Sequence, residues 1–391
     1  MSFLRLTRSP GLALGTYGPP FFRRTLRLSS EDLLQHGHII GTSGSGKSRF
    51  LAHLCVSLLR LGYPVTLLDP HGELARLVLA LLIDAGVYTR PEAFERILYF
   101  DLPAAEARGL YLPFNVLAQP GHSDSIAANV KDAFHRAFPE LGQVAATFDT
   151  LLPDAVELLL HNALRLTDLH RLLVDGLFRE HLLARERDAD LVSSFRDVYE
   201  QLKKADQVQY AGSVLRRARQ LTRTRILKYG LAQPTLTADF HRVLARRQAV
   251  IVNLAVENPD ARRLLGSLLT VGVEQAAKAR ALLPPNQRYA SMHLLIDEFQ
   301  LFTSHDADQF TSMLSECRKF RCFLWGAHQD WAQVSDRLRS AIQNAGVEVV
   351  FALDRDDSEY SARKIGRVDL ERVKHLVTDQ EAETRTHPVF A

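Results

Sequence analysis

Eight consecutive residues, Gly41, Thr42, Ser43, Gly44, Ser45, Gly46, Lys47 and Ser48, form an unbroken Walker A sequence. The three glycines let the backbone curl until successive N–H groups point inward at one phosphate, and a helix opening directly after the loop adds its positive end. Lys47 is then placed to reach the β- and γ-phosphates of a nucleoside triphosphate, and Ser48 to hold the Mg2+ that accompanies them.

Such a loop needs an acidic partner. Leu294-Leu295-Ile296-Asp297-Glu298 supplies an apolar strand ending in two acids, expected on a strand neighbouring that of the loop. Asp297 is suited to bind Mg2+ through water, and Glu298, one residue further on, to polarise the attacking water as general base. Asp69, in Leu68-Asp69-Pro70-His71-Gly72, also ends an apolar strand. Acids at that edge of an open sheet face the ligand crevice, although Asp-Pro-His-Gly equally describes a turn. The apolar run from Cys322 leads to His328 and Gln329, where a glutamine either senses the γ-phosphate or its attacking water, or closes a strand end by hydrogen bonding. Arg318, Lys319 and Arg321 precede that run. A basic cluster there either completes charge neutralisation at a neighbouring subunit's site or suits the negative end of a helix. His36, His38 and His71 have no ligand spacing with other histidines or cysteines, so the nucleotide's Mg2+ is the one metal expected.

The elements that must position these residues are legible as short β-type runs at 38–40, 65–68, 97–100, 249–254, 293–296, 322–325 and 347–352. Most are continuously apolar, as for strands buried on both faces of a mainly parallel sheet, and helical patterns separate several of them. The expected class is α/β, with the phosphate loop at the carboxyl end of a central strand. From about 121 to 240 strand runs give way to helical periodicity: Ile126, Val130, Ala133 and Phe134 follow a candidate cap at Ser123, and Val156, Leu159 and Leu160 form a similar stripe. This predicts an all-α domain at 121–240 inserted between core segments 1–120 and 241–391. Its last helix, about 208–228, carries Arg216, Arg217, Arg219, Arg223, Arg225 and Lys228, which suit either a solvated face or contact with DNA phosphates. A long helix at about 260–283 runs up to the Pro284-Pro285 break.

With 391 residues, 46% hydrophobic and 24% charged, the chain can bury one large core or two medium ones. A net charge of +3 permits a nucleic-acid partner without demanding one. Cys55, Cys317 and Cys322 are an odd set without CxxC spacing, which indicates neither a disulfide framework nor a zinc site and fits a cytoplasmic protein. Neither a signal peptide nor a membrane span is expected, because the most apolar run, Leu74 to Val87, is interrupted by Arg76 and Asp84.

Taken in order, the Walker A residues, Asp-Pro-His-Gly-Glu, Ile-Asp-Glu-Phe-Gln and Arg-Lys-Phe before a strand ending in His-Gln resemble the HerA/FtsK superfamily of DNA-pumping ATPases. The resemblance spans about 30–365, including Asn344-Ala345-Gly346-Val347, and is greatest to the nucleotide-binding part of type IV coupling proteins. It implies a RecA-like P-loop core with a helical insertion, a hexameric ring, and ATP- and Mg2+-dependent movement of DNA, expected to be duplex, through a central pore in conjugation or related mobilisation. It also implies Arg318 as a finger acting across the subunit boundary, Gln329 as sensor and Asp69 as part of the nucleotide site. Related proteins imply two other roles, a type IV secretion ATPase acting on proteins and a nucleotide-gated scaffold for a nuclease. Coupling proteins usually carry N-terminal membrane helices and HerA proteins an N-terminal β-barrel. Neither is expected within the short segment before the loop, so membrane docking would be lost, reside in a segment outside this sequence, or fall to a partner.

Overall fold

The computed structural model describes residues 11–365 apart from 20, 119–120, 139–144, 234, 236–238, 281–282, 284–290, 303–312 and 315. The Pro284-Pro285 break therefore lies outside the described residues. Seven strands form the central sheet: β3 (Gly37–Ile40), β4 (Val65–Asp69), β5 (Ile97–Asp101), β6 (Ala249–Asn253), β7 (Met292–Ile296), β8 (Cys322–His328) and β9 (Val347–Val350). Their order is β5-β6-β4-β7-β8-β3-β9, and all six pairings are parallel. Each corresponds to an expected run, with ends moved by one to three residues. A hairpin that the sequence reading missed, β1 (Leu12–Tyr17) with β2 (Arg24–Leu28), precedes the sheet. Its strands are largely exposed and lack a continuous apolar run.

The unbroken hydrophobicity of the strands follows from cover on both faces. Ile39, Leu67, Ile251, Leu295 and Trp325 point to one side, where they pack with Leu51, Leu54, Cys55 and Leu58 of helix α1 (Lys47–Arg60) and Leu74 and Val78 of α2 (Glu73–Asp84). Alternate residues Ile40, Leu68, Val252, Leu294, Ile296 and Leu324 point to the other, against the Pro259–Ala279 helix and the helical segment between β5 and β6. Adjacent residues of one strand thus belong to different cores. The 74–87 apolar run is mostly α2, and among the described residues no helix is long and apolar enough to cross a membrane.

Between β5 and β6 the described residues form helices from Leu102–Ala107 through Phe240–Ala245, with no regular strand. Two local expectations are corrected. The Ser123–Ala137 helix is preceded by His122 at the N-cap, without a side-chain cap bond, while Ser123 is its first residue and bonds His161. The expected single helix at 208–228 is three, Lys204–Tyr210, Gly212–Arg223 and Arg225–Leu231, because Thr224 is extended and ends the second. Arg217 also turns inward, its guanidinium 5.1 Å from the Phe138 ring centre, whereas Arg216, Arg219, Arg223, Arg225 and Lys228 stay exposed.

The closest fit within the sheet is between Gly37 and Trp325, paired across β3 and β8. Trp325 is fully buried, and a Cβ on Gly37 would lie 2.0 Å from its ring. Trp325→Ala is expected to lower stability by about 3 to 5 kcal/mol in denaturant unfolding. Gly37→Ala should also destabilise, but by less when Trp325 is already alanine; strictly additive losses would contradict this steric account.

Candidate active site

Parallel strands deliver their carboxyl ends to one sheet edge, and most of the sequence-predicted residues meet there. The phosphate loop follows β3 and runs directly into α1. Gly44 and Gly46 take φ values of +75° and +114°, open to glycine and strained for other residues. Gly41 has no room for a side chain, since a Cβ would lie 2.5 Å from Phe351. The loop is tied down at Thr42, whose N–H and hydroxyl both donate to the Ala352 carbonyl after β9, at 2.8 and 3.0 Å. Lys47 is buried and donates to the Gly41 and Thr42 carbonyls at 2.5 and 3.0 Å, so its ammonium lies inside the curl of the loop. Thr42, Ser43 and Gly44 form the exposed rim, and the buried Ser45 hydroxyl has no hydrogen-bond partner among the described residues.

The acidic partner is not on the adjacent strand as expected. β8 lies between β3 and β7, so Asp297 and Glu298 come from the next strand but one. The gap is bridged at the edge, where the Ser48 hydroxyl donates to Asp297 Oδ2 at 3.1 Å. Glu298 adopts a left-handed backbone, φ 50°, which costs a non-glycine residue about 1 kcal/mol or more. Two amides hold its carboxylate: Gln329 Nε2 donates to Oε1 at 2.6 Å, and Gln300 Nε2 donates to Oε2. Gln329, expected to sense the γ-phosphate or its attacking water or to close a strand end, here holds the Glu298 carboxylate. Gln300 was missed by the sequence reading, and its signal was only its place two residues beyond Glu298.

Asp69 is fully buried, and both its oxygens are taken by backbone, accepting from His71 N at 2.9 Å and Ala75 N at 2.8 Å. Its carboxylate shapes the turn into α2 and reaches the site through its charge. Arg318 is elsewhere. It lies exposed in the Cys317–Phe320 turn before β8, separated by the length of that strand, roughly 20 Å, from Gln329. Its charge is felt instead by His36, whose imidazole is lowered to about 4 by burial and then by Arg318. In its own chain, Arg318 is at the wrong edge of the sheet for the phosphate loop.

A loop of inward N–H groups, a buried lysine, and a hydroxyl and carboxylate converging beside it suit a nucleoside triphosphate with Mg2+, a cation that takes oxygen ligands. The model of one family, the HerA helicase central domain, matches residues 23–271. The chain belongs to this family. It is thereby a P-loop ATPase with a RecA-like core. No curated protein matches its sequence significantly. Among solved structures, VirB4 of Thermoanaerobacter pseudethanolicus superposes with a TM-score of 0.60 at 12% identity, covering 96% of this chain and 92% of that one. The bacterial conjugative coupling protein TrwB, in a trigonal form with sulphate, gives 0.59 at 15% identity over 86% of this chain and 75% of its own. TrwB with the non-hydrolysable ATP analogue ADPNP gives 0.55 at 15% identity, over 81% and 71%.

In this HerA-family chain the acids crowd one another. Burial, then the charges of Glu298 and Asp69, push the Asp297 carboxyl up to about 6, and the Ser48 hydrogen bond offsets this only in part. An acid with a higher pKa folded than unfolded holds its proton more tightly when folded, so ionising it destabilises the fold as pH rises from about 4 through 6. Asp297→Asn removes that ionisation. Without nucleotide or Mg2+, the variant should be more stable than wild type at pH 8, by at most about 3 kcal/mol. The advantage should vanish as pH falls to 4. A difference independent of pH between 4 and 8 in thermal melts would refute the assignment.

Proposed function

We propose that this chain is a Mg2+-dependent ATPase that assembles into a ring and moves DNA, in conjugative transfer or a related mobilisation process. The pairing of Gln329 with Glu298 beside the Ser48–Asp297 contact is the observation that carries the hydrolytic part. Lys47 binds the β- and γ-phosphates in this reading, exchanging the loop carbonyls for phosphate oxygens, and the loop amides of Gly41 to Ser48 orient the chain of phosphates. Ser48 and Asp297 are the residues that would hold Mg2+, which neutralises phosphate charge when bound. Glu298 accepts a proton from the attacking water, while Gln329 and Gln300 fix its carboxylate in line with the γ-phosphate. Residues 121–240 act as a helical domain between the two core segments, 1–120 and 241–391.

The DNA part draws on the likeness to TrwB, a conjugative coupling protein, and on the exposed cations Arg216, Arg219, Arg223, Arg225 and Lys228 of two successive helices, which suit phosphate contacts. A type IV secretion ATPase acting on proteins is the second reading, favoured by the likeness to VirB4 over nearly the whole of both chains. Steady-state ATP hydrolysis with duplex DNA, single-stranded DNA or neither separates them. DNA should stimulate turnover, and Glu298→Gln should lower it by about 100-fold or more, the usual scale for a general base. Hydrolysis indifferent to both nucleic acids would reject the DNA motor and favour the protein-directed ATPase.

The ring part draws on Arg318, which is remote from its own chain's site and free to serve a neighbour's. Lys47→Ala spoils a subunit's site but keeps its finger, and Arg318→Ala does the reverse. Each alone should be inactive, and their mixture should recover part of the wild-type rate through boundaries where an intact site meets an intact finger. No recovery from co-assembled subunits would rule out action in trans.

A further inference from the structure

Beneath the phosphate loop, three buried or half-buried ionisable side chains are joined across three strands by contacts that the proposed reaction does not use. His38 on β3 lies beside Glu348 on β9 in register, and His38 Nδ1 is 3.3 Å from Glu348 Oε1. On its other side, His38 Nε2 is 2.7 Å from Nε2 of His328, the last residue of β8. His328 Nδ1 donates to the Asp330 carbonyl at 2.8 Å. His38 is 2% exposed and His328 is wholly buried.

The protons in this chain are set by its ends. The Asp330 carbonyl can only accept, so Nδ1 of His328 carries a hydrogen. His328 stays neutral, because burial, and then the neighbouring charges that include His38 and Lys47, hold it far below the ordinary histidine range, at about 3. Its Nε2 is therefore bare and accepts from His38 Nε2–H. The far nitrogen of His38 meets a carboxylate, and a shared proton must lie between them. The Asp330 carbonyl thus fixes two of the three directions, and the proton at Glu348 concerns the third contact alone.

The next residue after His328 is Gln329, which holds Glu298. Further contacts clamp His328 itself: the Phe299 ring meets it edge-on at 5.4 Å, and Trp331 at 5.2 Å, while Trp331 also lies 5.0 Å from His38. Phe299 directly follows Glu298, so the imidazole that immediately precedes the glutamine in the chain is also packed against the turn that carries the acid.

We infer that His38 and Glu348 are positioning residues for hydrolysis, which act through His328 to set the Gln329 amide on the Glu298 carboxylate. The role deepens the ATPase reading and rests on it. It makes the edge strand β9, by way of Glu348, part of the machinery that aligns the acid. Among the described residues β9 pairs with β3 alone, and the two imidazoles join it, side chain to side chain, to the end of β8 that precedes Gln329.

Amide substitutions at His38 divide the two bonds. A glutamine Nε2 can approximate His38 Nε2 and keep the donor toward His328 while giving up Glu348. An asparagine Nδ2 approximates Nδ1 and does the opposite. With the full chain, His38→Asn should reduce kcat by about tenfold or more, as expected when a reacting group is displaced by a fraction of an ångström to 1 Å. His38→Gln should keep the larger share of activity. Glu348→Gln, at a half-buried edge position that tolerates change more readily, should lower kcat by a smaller factor. In all three, the Kd for a fluorescent non-hydrolysable ATP analogue should be unchanged, because the loop itself is untouched. Equal activity of the asparagine and glutamine variants, or a loss of nucleotide affinity that accounts for the loss of rate, would overturn the role. Wild-type protein with Glu298→Gln as blank tells the two failures apart: if wild type shows no turnover above that blank, it is the ATPase reading that fails.

Discussion

The parallel direction of the strands is the constraint from which the rest of the structure follows. A parallel strand can be reached only by a crossover, and crossovers cover both faces with helices. Covered on both faces, the strands must be apolar along their length, and polar residues are displaced to their ends. Every such end on one edge is a carboxyl end. Gly41, Asp69, Asp297 and His328 are therefore neighbours in space although they are spread over nearly 290 positions of the sequence, about the interval from residue 41 to residue 328. The edge also gathers charge. Asp69, Asp297 and Glu298 are all buried, and what they receive from the protein is the Ser48 hydroxyl, backbone amides and two glutamines.

Much of this was legible in the sequence for that same reason. All seven sheet strands could be found because a doubly covered strand is a short, unbroken apolar run, and the acids could be found because each ends such a run. The hairpin of β1 and β2 could not, since strands such as Arg24–Leu28 face solvent and leave no apolar signature. Strand order is equally invisible to periodicity: nothing in Cys322–His328 says that it lies between the loop strand and the Asp297 strand. Helix breaks are set by backbone angles at single residues such as Thr224, where the side-chain pattern continues across the break.

The histidines show a different limit. His36 and His38 carry no metal spacing, and His328 reads only as a polar strand end beside Gln329. Their partners are set by register: Glu348 is opposite His38 because β9 pairs with β3, and His328 reaches it diagonally from β8. Contacts across a sheet depend on topology, and topology is the part of the fold that a single chain reports least.

The left-handed turn at Glu298 makes the position of this acid conditional. A relaxed backbone at residue 298 would be lower in energy locally and would carry the carboxylate elsewhere, and the amides of Gln300 and Gln329 are among the contacts that oppose this. One of those contacts comes from another strand. In the proposed reaction the acid would therefore be placed by two elements at once, its own turn after β7 and the glutamine that follows β8.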